Sequence, residues 1–299
     1  MIALQDIERE LLSHHPEADI DLVKRAYVFA ARMHRGQLRK SGDPYIMHPL
    51  EVALIVAKHN LDAPSVCAGL LHDTVEDTLA TDEDIRHQFG AEVASLVKSL
   101  TKLNKINFQN RQEAQAANFR KMLIAMSRDL RVILIKLSDR LHNMRTLGKM
   151  PPEKKTRISR ETLEIYSPLA SRLGLYSIKV ELEDLCFKYI YPDEYRSIAE
   201  MIAQKKEQRE QYIETVREHL STHLSSFGIE AEVSGRPKHL WSIHQKLKRT
   251  GGGLDTIYDV LAFRIIVHWM KDMILFDEKS DSVRTNQAKS QIQNFRHRN

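Results

Sequence analysis

A chain of 299 residues, with 42% hydrophobic and 28% charged residues, has the length and composition of one large or two medium soluble domains. These proportions exclude collagen-like, mucin-like and wholly disordered chains, and no apolar run approaches the ~20 residues that span a bilayer. Two cysteines, Cys67 and Cys186, exclude a disulfide framework and a cysteine-rich zinc site, while a net charge of +5 suits an anionic ligand without marking a nucleic-acid binder.

Taken in order, the residues Met1 to Asp6 lack a basic region followed by an apolar one, so the chain reads as unsecreted, and its cysteine usage fits a reducing cytoplasm. Apolar residues recur at helical spacing from Ile20 to His34, and the pattern breaks at Gly36. A polar loop, Arg39-Lys40-Ser41-Gly42-Asp43-Pro44, follows. Helices are expected over His48–His59 and Pro64–Thr78, the second capped by Asp62. Further helices fall at Asp82–Phe89, Ala91–Leu103 and Gln112–Ser127. Residues 130 to 147 are too long for a strand and apolar enough for a buried helix, which Pro151-Pro152 ends. Helical pattern continues over Glu153–Leu173, Ile178–Tyr189 and Asp193–Leu224. The texture then changes: Glu230–Val233 and the β-branched Val260–Val267 read as strands flanking a helix at Leu240–Leu247.

Two of these helices carry unusual polar groups. In Ala68–Thr78, His72, Asp73, Glu76 and Asp77 interrupt an apolar pattern, and one-turn spacing crowds them on one side. Clustered carboxylates repel unless a cation or protons neutralise them; the plain alternative is an exposed acidic face. In residues 130 to 147, Asp139, Asn143 and Thr146 form a polar stripe at i, i+4 and i+7. An Asp among apolar neighbours needs a partner, the plain alternative to a functional role being a salt bridge to Arg140 or Arg145. His48, ahead of Pro49 at a helix start, is a further candidate ligand.

These residues resemble the HD metal-dependent phosphohydrolases, and more closely the N-terminal half of the long RelA/SpoT homologues, which make and break the alarmone (p)ppGpp in the stringent response. The likeness rests on His34-Arg35-Gly36-Gln37, on Ser41-Gly42-Asp43-Pro44-Tyr45-Ile46-Met47-His48-Pro49, on Gly69–Thr78, on Ile135–Thr146, on Glu161–Tyr166 and on Gly235-Arg236-Pro237-Lys238, spanning about residues 20 to 267. It implies a mainly α protein: an all-helical HD-type hydrolase domain over 1–196, a helical connector over 197–226, an incomplete α/β synthetase-like segment over 227–267 and a divergent tail over 268–299.

The resemblance further implies that His48, His72, Asp73 and Asp139 ligate a divalent metal. A set of two imidazoles and two carboxylates suits Mn²⁺ better than Mg²⁺. Glu76 and Asp77 match the acidic pair that works on the attacking water and the leaving group, with acid and base unassigned between them. Arg39, Lys40 and Ser41 match the loop that meets guanine and phosphates, and Asn143 and Thr146 match nucleotide contacts; for the Arg39-Lys40 pair the plain alternative is a solvated loop. The expected reaction is removal of the 3′-pyrophosphate of ppGpp or pppGpp, giving GDP or GTP and pyrophosphate. Arg236, Lys238, Lys246 and Asp259 resemble the start of a synthetase site whose later parts have no counterpart after Val267, so no synthetase activity is expected. An open sheet edge bearing Phe263, Ile265 and Ile266 would favour self-association, so a homo-oligomer is an option, with no nucleic-acid or membrane partner. The competing readings are an HD hydrolase of another phosphorylated nucleotide and a protein that binds alarmone without turnover.

Overall fold

The computed structural model describes residues 2–104, 129–204, 206–250 and 261–267. The chain divides into two units, the first ending at Pro192 and the second starting at Asp193.

Among the described residues, the first unit is built of helices, with one isolated bridge between Leu38 and Pro44. It contains α1 (Leu4–His14), α2 (Ile20–Met33), α3 (Met47–Lys58), α4 (Ala63–Leu71), the single turn α5 (Thr74–Asp77), α6 (Asp82–Asn104) and α7 (Leu130–Arg145). After a 3-10 turn, Leu147–Lys149, come α8 (Pro152–Glu161), a π turn over Thr162–Tyr166, α9 (Ser167–Arg172) and α10 (Tyr176–Ile190). Burial of apolar faces holds them together, since non-directional burial of nonpolar surface is the main favourable force in folding. One core joins α1 to α4 and α6 through residues such as Ile7, Leu11, Phe29, Val56, Leu70, Ile85 and Leu96. A second joins α7 to α8, α9 and α10 through Leu137, Leu141, Met144, Leu169 and Leu182. Helix α7 serves both, giving Val132 and Ile135 to the first core and Ile133 and Leu137 to the second.

Three features bring α3, α4 and α7 together. Gly69 packs on α3 so closely that a Cβ there would lie 3.4 Å from the Ala53 Cα. Asp62 caps α4 by accepting from the Ser65 amide, and Asp129 caps α7 by accepting from the Arg131 amide. Arg131 then donates to Asp129, Asp62 and Glu92, tying the start of α7 to α4 and α6.

Several elements differ from the sequence expectation. Helix α1 was not expected; Ile7 and Leu11, one turn apart, are fully buried. The helix expected over Pro64–Thr78 breaks at His72-Asp73, where the Thr74 hydroxyl donates to the Leu71 carbonyl. Gly90, at φ 87°, kinks α6 between the two helices expected there. The stretch over Glu153–Leu173 is not uniform but passes through the π turn. The helix expected over Gln112–Ser127 lies outside the described residues.

The second unit contains α11 (Pro192–Gln204), α12 (Lys206–Ser226), β1 (Ala231–Pro237), α13 (Leu240–Thr250) and β2 (Leu261–Val267). The strands pair antiparallel, Ala231 opposite Val267 and Pro237 opposite Leu261. Leu224, Ile229 and Val233 form their small core. Gly235 of β1 lies against Ile213 of α12 and Phe263 of β2, leaving no room for a side chain. Lys238 follows β1 and Lys246 lies on α13, whereas Asp259 is outside the described residues.

Candidate metal centre

Four side chains from three elements of the first unit converge. His48 comes from the first turn of α3, His72 from the residue that ends α4, Asp73 from the break after it, and Asp139 from the middle of α7. His48 Nε2 lies 3.5 Å from Asp73 Oδ2 and 3.3 Å from Asp139 Oδ1. His72 Nε2 lies 3.2 Å from Asp73 Oδ2 and 3.9 Å from Asp139 Oδ1. Ligand atoms about 2.1 Å from one ion in tetrahedral or octahedral array sit roughly 3.0–3.4 Å apart, close to this spacing.

The surroundings fit a cation as well. His72 Nδ1 donates to the Gly69 carbonyl at 2.8 Å, so the neutral ring has its lone pair on Nε2. That Nε2 is buried, and among the described residues it meets no aligned hydrogen-bond partner, only the carboxylate oxygens of Asp73 at 3.2 Å and Asp139 at 3.9 Å. Burial would push the His72 ring down, but Asp73 and Asp139 outweigh it and raise it to about 9. Asp139 is buried, yet Lys136, whose ammonium donates to Oδ2 at 2.6 Å, and the two histidines hold it well below the usual carboxylate range. Asn143 Nδ2 donates to the other oxygen, Oδ1, at 2.6 Å. Asp139 therefore takes its cation from Lys136; Arg140 instead pairs with Glu161 and lies 4.1 Å above the Tyr166 ring, and Arg145 pairs with Glu181.

The acidic pair divides. The Asp77 amide donates to the Asp73 carbonyl at 2.9 Å, preserving their one-turn spacing across the break. The Tyr45 hydroxyl lies 2.7 Å from Asp77 Oδ2 and 2.8 Å from Asp73 Oδ2, so it links the exposed Asp77 to the histidine–aspartate cluster. Glu76 is half-buried on the same turn, α5.

The loop of residues 37–45 is a small hairpin. The Arg39 amide donates to the Asp43 carbonyl, the Gly42 amide to Arg39, and the Tyr45 amide to Gln37. Gly42 takes φ 92°, a conformation that needs glycine. This loop points Arg39 inward: its Nη2 donates to Asn143 Oδ1 at 2.7 Å and its Nη1 lies 3.2 Å from His142 Nδ1. Lys40 is exposed and Ser41 half-buried on the same hairpin. Thr146 bonds its hydroxyl to the His142 carbonyl at the end of α7.

Sequence reasoning passed over Tyr45, His142, Lys136 and His34. Tyr45 and His142 stand inside the motifs that were read, and Lys136 lies one turn before Asp139. His34 is buried, stacks on Tyr45 with ring centroids 4.5 Å apart and meets Gln37 Oε1 at 2.8 Å; only its place in the motif signalled it.

Comparison with known proteins agrees with this architecture. Residues 26–176 match the HD domain model, and residues 235–297 match the model of the region found in RelA / SpoT proteins. The second match runs past Val267, where the likeness was expected to end. A GTP pyrophosphokinase of Myxococcus xanthus is 52% identical over 256 residues, covering 85% of this chain and 34% of that protein. The bifunctional (p)ppGpp synthase/hydrolase SpoT of Escherichia coli K12 is 47% identical over 268 residues, 90% of this chain and 38% of that protein. A guanosine-3′,5′-bis(diphosphate) 3′-pyrophosphohydrolase of Vibrio cholerae is 48% identical over 265 residues, 89% of this chain and 37% of that protein. The chain thus spans little more than a third of the length of these relatives. With an HD domain over half of its length and the RelA / SpoT region after it, the chain belongs to the RelA/SpoT family of HD-domain proteins.

Proposed function

We propose that this chain hydrolyses guanosine 3′,5′-bis(diphosphates), taking one water and releasing pyrophosphate from the 3′ position to leave GDP from ppGpp or GTP from pppGpp. The observation that carries the reading is the convergence of His48, His72, Asp73 and Asp139, with donor atoms 3.2–3.9 Å apart, beside an Asp77 tied to them by Tyr45. The relatives' printed activities support the substrate.

His48, His72, Asp73 and Asp139 would hold the cation. Their mixed nitrogen and oxygen donors favour Mn²⁺ over Mg²⁺, which prefers an oxygen shell. When bound, the ion would polarise a phosphoryl oxygen and make water more acidic.

The remaining work falls to the chain. Arg39 supplies a planar fork of donors for phosphate or a flat face for guanine, and Lys40 adds charge beside it. To do so Arg39 exchanges its bonds to Asn143 and His142 for the nucleotide, which frees the Asn143 amide oxygen as an acceptor. Glu76 and Asp77 provide the base that takes the water's proton and the acid that returns one to the departing 3′ oxygen. Tyr45 holds Asp77 at a fixed distance from the ligands. No helix among the described residues is long and apolar enough to cross a membrane, and the two unpaired cysteines suit a reducing cytoplasm.

The test is release of GDP and pyrophosphate from ppGpp in Mn²⁺, with and without a chelator, beside other 3′-phosphorylated nucleotides. Chelator-sensitive release selective for ppGpp is expected. Equal turnover of the other nucleotides would move the activity to a broader HD hydrolase, and tight ppGpp binding without release would make the chain an alarmone-binding protein.

A further inference from the structure

His142 belongs neither to the four ligands nor to the nucleotide contacts, yet it touches both. It is buried on α7, with Nδ1 2.7 Å from His48 Nδ1 and 3.2 Å from Arg39 Nη1. Two imidazole nitrogens at 2.7 Å need one proton between them, and the distance does not say which ring holds it.

Arg39 decides the matter. A guanidinium carries N–H donors and no acceptor, so Arg39 can only donate, and His142 Nδ1 must present its lone pair. The proton in the 2.7 Å bond then sits on His48 Nδ1, which donates to His142. A neutral His48 with its proton on Nδ1 has its lone pair on Nε2, the atom that faces Asp73 and Asp139. The opposite assignment would set an N–H of His142 against an N–H of Arg39.

We propose that His142 is a positioning residue of the metal centre: with the one lone pair of its Nδ1 facing both His48 and Arg39, the closer His48 taking the stronger share, it fixes the tautomer that turns the lone pair of His48 Nε2 toward the cation. His72 obtains the same result from the Gly69 carbonyl, an acceptor that cannot be mistaken for a donor. Among the described residues His48 Nδ1 meets no such carbonyl and depends on another ring, whose own tautomer the substrate loop sets through Arg39. The assignment rests on the metal-centre reading above.

The test is Mn²⁺ affinity, read from the paramagnetic resonance of the free ion, for the wild type, His142→Asn and His142→Leu. Asparagine and leucine have nearly the same shape, so packing losses are shared, but only asparagine offers an acceptor near the Nδ1 position. His142→Leu is expected to bind Mn²⁺ about 10–100-fold more weakly, the range for losing the group that orients a ligand, with His142→Asn within about threefold of wild type. Equal weakening in both variants, or none in either, overturns the assignment. Nitrogen-15 resonances of the histidine rings in the metal-free wild type provide a readout that needs no leucine variant, the His142 signals being those missing from His142→Asn. The Nε2–H tautomer is expected for His142, and the Nδ1–H form overturns the proposal even if Mn²⁺ binds. A wild type that takes up no Mn²⁺ overturns the metal centre itself.

Discussion

The Tyr45 hydroxyl sits 2.7 Å from Asp77 Oδ2, and the same oxygen lies 2.8 Å from Asp73 Oδ2. A phenol has one proton to donate, so it bonds one of the two carboxylate oxygens at a time and stands between them. Burial and the two carboxylates raise the Tyr45 phenol far above its ordinary range, so it keeps its proton at any working pH. This bridge is how the exposed Asp77 is held to the buried histidine–aspartate cluster.

Tyr45→Phe should therefore impair turnover without removing the nucleotide site. Hydrogen bonds to charged groups are worth about 1.5–3 kcal/mol, which corresponds to a fall in kcat of about 10–150-fold. Steady-state kinetics on ppGpp should show that fall in kcat with KM within about twofold of wild type. A variant with unchanged kcat would show that Tyr45 does not position Asp77.

Arg39→Lys keeps the charge of the loop but loses the two-pronged donor that reaches Asn143 and His142. KM for ppGpp is expected to rise about tenfold, as for loss of one charge-assisted hydrogen bond, with a smaller change in kcat. An unchanged KM would remove Arg39 from the nucleotide contacts.

Much of this site was legible in the sequence, but unevenly. His48, His72, Asp73 and Asp139 stand out because ionisable groups in apolar helices need an explanation, and the motifs that hold them are long. The break after His72 was not legible: no glycine or proline marks it, and it is the Thr74 hydroxyl taking the Leu71 carbonyl that competes with the helix. The plain alternative for Asp139, a salt bridge to Arg140 or Arg145, overlooked Lys136, because charge alone cannot choose among the three. Burial and packing choose, since Arg140 and Arg145 are drawn to α8 and α10 by Glu161 and Glu181. Helix α1 was missed because it is only 11 residues long and Ala3 starts it with no side-chain cap of its own; Asp6 instead takes the Ala3 amide. Tyr45 and His142 gain their roles only when α3, α5 and α7 meet in space.

Arg131 is predicted to matter for stability rather than chemistry. It joins Asp129, Asp62 and Glu92 at 2.7–2.8 Å and so fastens the start of the helix that bears Asp139 and His142. Because these partners are partly exposed, Arg131→Met should cost only about 1–2 kcal/mol, read as a lower urea midpoint at unchanged slope. A loss below about 0.3 kcal/mol would show that the three contacts are solvent-screened and slack.

Cys67 and Cys186 are fully buried, and burial is the first cause that pushes each thiol up to about 12. The thiolate is the reactive form, so at neutral pH both should be inert to maleimide in the folded protein. Labelling should follow unfolding, with both thiols reacting together across the urea transition. Rapid labelling of either in native buffer would contradict their placement in the two cores.

One cation held by His48, His72, Asp73 and Asp139 drives pyrophosphate release in this account, and the direct test is to titrate Mn²⁺ into metal-stripped protein while following GDP and pyrophosphate from ppGpp, with Asp73→Ala alongside. Turnover should rise with occupancy, saturate at about one ion per chain, and fall by about 10³-fold or more in Asp73→Ala, since the variant loses a ligand and with it the ion's several kcal/mol of charge stabilisation. Release that persists in chelator, or at wild-type rates in Asp73→Ala, would contradict it.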